Sequence, residues 1–105
     1  MKLICYIQER KMTIVLTGEI DHHCAKEYIM ALKNKIEIYV PTKCILDFTN
    51  VSFMDSSGIA VIINAMRFMQ KLDGELYVSA MQNQPKRVFM ASGMDKLIKI
   101  SEECT

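Results

Sequence analysis

The sequence predicts one α/β domain of element order β-β-α-β-α-β-α-β, built on a mixed, mostly parallel sheet whose first strand is antiparallel. Three observations predict it. Residues 3–8 and 12–17 alternate apolar and polar side chains, as strands covered on one side do. Apolar residues then recur at helical spacing in three segments, and a short apolar, strand-like run follows each of them. That alternation calls for right-handed crossovers between parallel strands. If successive strands are also neighbours, the crossover helices lie largely on one face of the sheet.

In the first strand Leu3, Cys5 and Ile7 share a face; in the second Met12, Ile14 and Leu16 do. Glu9-Arg10-Lys11 between them is a polar connection fit for a hairpin, although it lacks the Gly or Asn that tight hairpin turns favour. Thr17-Gly18-Glu19-Ile20-Asp21 is expected to break the second strand, with Asp21 as N-cap of the first helix. Ala25, Tyr28, Ile29, Leu32 and Ile36 form the apolar stripe of that helix, and Pro41 ends it at the latest. Lys43 to Phe48 reads as a central strand. The second helix is expected from about Ser57 to Lys71, with two apolar stripes. One holds Ile59, Ile62, Ile63, Met66 and Met69; the other holds Val61, Ala65, Phe68 and Leu72. A helix apolar on two sides is either deeply buried or keeps one stripe for a partner. Asp73-Gly74 stops it, with Gly74 in the left-handed C′ role. Residues 75–80 form a further strand, Gln84-Pro85 opens a third helix that ends at Gly93, and residues 98–100 form the last strand.

A chain of 105 residues, 50% of them hydrophobic, is long enough to build one core without staples, so residues 1–105 are expected to be a single domain. The formal charge of +1 offers no basic face for nucleic acid. No apolar run approaches the ~18 residues of a membrane span, and no secretory leader pattern opens the chain, so the expectation is a cytoplasmic protein. The four cysteines, Cys5, Cys24, Cys44 and Cys104, form no CxxC pair, and three lie in apolar segments where a reduced Cys acts as a small hydrophobe. Disulfides are not expected. His22-His23-Cys24 does not read as a metal site, because adjacent helical residues diverge by about 100° and no second ligand pair is present. No cofactor is expected either.

The chemistry concentrates in Phe53-Met54-Asp55-Ser56-Ser57-Gly58, between the third strand and the second helix. It puts two hydroxyls at a helix N-terminus, where backbone N–H groups lack partners and negative charge is welcome. A strand-to-helix serine invites comparison with a hydrolase elbow, but G-x-S-x-G is absent and both His precede the Ser. The expectation is no catalysis. A serine here is either a simple helix cap or a phosphoacceptor.

Asp55-Ser56-Ser57-Gly58, together with Gly18-Glu19-Ile20-Asp21-His22-His23 and Ala91-Ser92-Gly93-Met94-Asp95-Lys96-Leu97, resembles the STAS domain of anti-sigma-factor antagonists, most of all the sporulation antagonist of the sigma-F system. The resemblance covers residues 3 to about 100 and implies a binding protein and not an enzyme. Ser56 takes the position that, in the family, is phosphorylated by a partner that is both serine kinase and anti-sigma factor. The unmodified antagonist docks on that kinase and displaces the sigma factor; the phosphorylated form lets go; a serine phosphatase restores it. Asp21, His22, His23, Met54, Asp55, Ser57, Gly58, Val61, Ala65 and Phe68 are the candidate partner contacts, and the unmodified protein is expected to be a monomer. The alternative is a STAS module that binds a ligand, nucleotide or protein without a phosphoswitch. The sequence departs from the family in two places. Ala60 stands where Gly is frequent, and in place of a further helix after the last strand residues 101–105 are expected to be a polar, frayed tail.

Overall fold

The computed structural model describes residues 2–101. Strand β1 (Lys2–Gln8) turns into β2 (Lys11–Ile20), and helix α1 (Ala25–Tyr39) leads to β3 (Lys43–Met54). Helix α2 (Ser56–Gln70), strand β4 (Glu75–Ser79), helix α3 (Asn83–Ala91), a 3-10 turn (Met94–Lys96) and strand β5 (Lys99–Ser101) complete the chain. The five strands lie in the order β1-β2-β3-β4-β5, β1 antiparallel to β2 and every other pair parallel. The expected topology is therefore observed. The frayed tail expected at residues 102–105 lies outside the described residues, and Ser101 belongs to β5.

Strand periodicity decides where the core sits. Met12, Ile14 and Leu16 of β2 and Cys44, Leu46 and Phe48 of β3 point to one face. There they join Tyr28, Leu32 and Ile36 of α1, Ile59, Val61, Ile62, Ala65 and Met69 of α2, and Phe89 of α3 in one buried cluster. All three helices thus cover the same side of the sheet. Tyr28, buried in that cluster, donates its hydroxyl to Thr17 O at 2.8 Å, which satisfies its one polar atom and pins α1 to β2. On β1, Leu3 and Cys5 pack against the core, whereas Ile7 remains 41% exposed.

Several local expectations are corrected. Strand β2 does not break at Thr17. Gly18, at φ 106°, allows a register shift, and the strand continues to Ile20 beside an equally extended β3. Strand β3 runs on past Phe48 to Met54. Thr49 and Asn50 look like turn residues, but Asp47 Oδ1 accepts from Thr49 N–H and Oγ1, and Val51 and Met54 return to the core. Gly74 is not the left-handed residue after α2; Asp73 is, at φ 54°. Gly74 is needed for space instead, since a Cβ there would lie 2.6 Å from Met69 Cε and 3.1 Å from Thr42 O. Gly93, at φ 79°, does end α3 in the left-handed form. Strand β4 stops at Ser79, one residue early, because Ala80 turns left-handed at φ 57° and sends the chain toward α3.

Candidate functional site

The Ser56 turn is held from three directions. From behind, Asp55 N–H donates to Ile20 O at 3.2 Å, which ties the end of β3 to the end of β2. From within, Asp55 Oδ1 accepts from Ser57 N–H at 2.8 Å, so Asp55 is the N-cap of α2 and Ser56 its first helical residue. The alternative of Ser56 as a simple cap is thereby removed: the side chain that caps is Asp55. From the side, the Gln84 amide grips the Met54 peptide at both ends, Oε1 accepting from Met54 N–H at 2.9 Å and Nε2 donating to Met54 O at 3.0 Å. Gly58 sits against Met54, where a Cβ would come within 2.8 Å of Met54 Sδ and 2.9 Å of Met54 Cβ. Within this frame Ser56 is exposed, and its hydroxyl has no partner among the described residues.

The Ile20–Asp55 bond also sets the neighbour. Asp21, His22 and His23 follow Ile20 directly, so their turn lies beside the Ser56 turn at the C-terminal ends of two adjacent parallel strands. In open α/β sheets that end is where binding residues gather. Asp21 is not the cap of α1, which begins at Ala25. Its Oδ1 accepts from His23 N–H at 2.9 Å and closes the turn before the helix, while the Cys24 thiol donates to Glu19 O at 3.2 Å. Desolvation pushes the Asp21 carboxyl up, but the bonds from His23 N–H and the Cys24 thiol, with the His23 ring nearby, outweigh it and hold the group below the usual carboxylate range. The His22 and His23 rings stack with centroids 4.0 Å apart and are both exposed.

Residues 3–104 match the model of the STAS domain. The chain belongs to the STAS domain family. Among curated relatives, it is 29% identical over 89 residues to an anti-sigma F factor antagonist of Paenibacillus polymyxa, covering 85% of this chain and 76% of that one. It is also 29% identical to an anti-sigma-B factor antagonist of Listeria monocytogenes, covering 95% and 90%. The structure of the anti-sigma factor antagonist SpoIIAA in its unphosphorylated form superposes with a TM-score of 0.81 at 26% identity, over 97% of this chain and 90% of that one. SpoIIAA of Bacillus in the phosphorylated form gives 0.72 at 25% identity, over 97% and 93%.

The STAS fold brings only part of the expected contact set to the surface. Asp21, His22, His23, Asp55, Ser56 and Ser57 gather at one end of the sheet, exposed or half-exposed. Met54, Val61 and Ala65 do not: each is 0% exposed, and Gly58 is buried as well. The stripe Val61–Ala65–Phe68–Leu72 is not left free for a partner: Val61 and Ala65 are buried in the core, and Phe68 and Leu72 share a groove with Ile36 and Glu37 of α1. Of the expected contacts on that stripe, Phe68 is half-buried and keeps a contact role open. Gln84 was not singled out by the sequence. A glutamine before Pro85 reads only as a helix start, and its partner at Met54 is a backbone group, which leaves no side-chain pattern to find.

Proposed function

We propose that this STAS domain is an anti-sigma-factor antagonist whose docking is switched by phosphorylation of Ser56. Unmodified, it docks on an anti-sigma serine kinase and frees the sigma factor; phosphorylated, it is released; a serine phosphatase resets it. The observation that carries the reading is the exposed Ser56 hydroxyl at the start of α2, without a partner among the described residues, in a turn tied down on both sides. The antagonist relatives, and a SpoIIAA fold solved both with and without phosphate, support it. In this reading Asp21, His22, His23, Asp55 and Ser57 frame the contact surface, and Phe68 lies on α2 beyond it. The protein acts as a monomeric single domain in the cytoplasm, without a catalytic role of its own.

Electrostatics explains why the modification would eject a partner and spare the fold. A phosphate adds about −1.5 to −2 charges near neutral pH. It stands at the positive end of α2, worth about 0.3–1 kcal/mol. The gain stays small because Ser57 N–H is already taken by Asp55 Oδ1 and Gly58 N–H by Asp55 O. Asp55 and Asp21 nearby make the surface still more negative. A partner pressed against it meets like charge or must strip water from the phosphate, at a cost of several kcal/mol. At about 1.4 kcal/mol per tenfold, that changes affinity by orders of magnitude.

Incubation with ATP and a cognate anti-sigma serine kinase, followed by intact-mass measurement, tests the reading. The expected result is one added phosphate that Ser56→Ala abolishes. Tight binding to the kinase with no mass gain would instead mean a STAS module without a phosphoswitch.

A further inference from the structure

Beyond Asp47, strand β3 has lost its neighbour on the β4 side. Its pairing with β4 ends at Asp47 and Ser79, whereas its pairing with β2 continues to Ile20 and Met54. Unpaired strand edges expose peptide groups that need partners. Two glutamines at the start of α3, Gln82 at its N-cap and Gln84 in its first turn, supply them. Gln82 Nε2 donates to Thr49 O at 2.8 Å, and Gln84 makes its two bonds to Met54. A side-chain amide carries the same donor and acceptor as a peptide unit. Gln84 therefore replaces one rung of the missing strand, at the last residue before the Asp55 cap.

We infer that Gln84 is the positioning residue of the Ser56 turn: by clamping the Met54 peptide it fixes the direction in which the chain enters α2, and with it the pose of the Ser56 hydroxyl. Its functional consequence rests on Ser56 being the phosphoacceptor; its structural consequence does not. No bond links Gln84 to Ser56, so it acts through Met54 alone. The residue type is demanding. Glutamate at neutral pH offers Met54 O no donor, methionine offers neither bond, and asparagine is one methylene short.

Residue-resolved amide exchange and phosphorylation kinetics on wild type and Gln84→Met test this. The Met54, Asp55 and Ser57 amides are expected to exchange about tenfold faster in the variant, with Leu46 and Val78 unchanged within about twofold. With the anti-sigma kinase that modifies the wild type, kcat is expected to fall about tenfold while KM stays within about threefold. Uniform acceleration of all amides would reduce Gln84 to a general stabiliser and overturn the inference, as would an unchanged kcat. Should Ser56→Ala take up phosphate like wild type, the phosphoacceptor reading fails separately, and the exchange pattern still decides the role of Gln84. If Gln84→Met does not fold, Gln84→Glu, which keeps the acceptor for Met54 N–H but offers Met54 O no donor, is read by the same two measurements, with faster exchange expected at Asp55 and Ser57 and not at Met54.

Discussion

Gly58 lies against Met54 so closely that a methyl group on it would stand 2.9 Å from Met54 Cβ. The sulfur of Met54 can swing away, but its Cβ is fixed to the strand, so the first turn of α2 would have to lift off β3. Gly58→Ala gains about 1 kcal/mol in helix propensity. Overpacking costs about 1–3 kcal/mol. The net expectation is a loss of up to about 2 kcal/mol in urea unfolding. A raised midpoint would mean that the glycine is not there for space.

Val61 is fully buried and belongs to the core cluster. Val61→Ala is therefore expected to lower stability by about 1–3 kcal/mol through the cavity it leaves. Once the protein is folded, affinity for the anti-sigma partner should hardly change. A variant with native stability and weakened docking would return Val61 to the contact surface.

Val40 ends α1 in the left-handed region, at φ 45°, with a branched side chain that disfavours this conformation. It is 41% exposed, so little packing would be lost by removing its side chain. Its carbonyl, which accepts from Arg10 Nη2 at 2.7 Å, stays in place. Val40→Gly is expected to raise stability by about 0.5–1 kcal/mol, read as an increase in Tm. A lower Tm would contradict this account of the helix end.

Burial pushes the Cys44 thiol up to about 12, with the Cys5 thiolate adding to the effect, against an ordinary value of 9.0. A raised folded-state value means that the unfolded chain ionises first. The stability this thiol contributes is thus complete below pH 9.0 and is lost as pH rises toward about 12. Between pH 8 and about 10.5, wild type should lose more Tm than Cys44→Val, since the other titrating groups are common to both. Parallel curves would contradict it.

The order of elements was legible because hydrophobic period alone separates strand from helix in this chain. Leu3–Cys5, Met12–Ile14–Leu16 and the α1 stripe Ala25–Tyr28–Leu32–Ile36 all face the core as their spacing demands. What failed was non-local. Residues 17–20 and 49–54 look like turns one at a time; they are strand only because Gly18 pairs with Val51 and Ile20 with Met54. The two stripes of α2 could not be ranked from sequence, because both carry buried residues: the helix packs against α1 as well as against β3 and β4. The Asp55–Gly58 turn stood out in the sequence as a candidate site, whereas its Gln84 clamp binds backbone groups that any residue would offer.

The affinity of Ser56→Asp for the anti-sigma kinase, measured beside its thermal unfolding, addresses the switch most directly. The account predicts binding weakened about a hundredfold or more with Tm within about 2 °C of wild type. Binding as tight as wild type, or a protein that unfolds when the charge is installed, would contradict it.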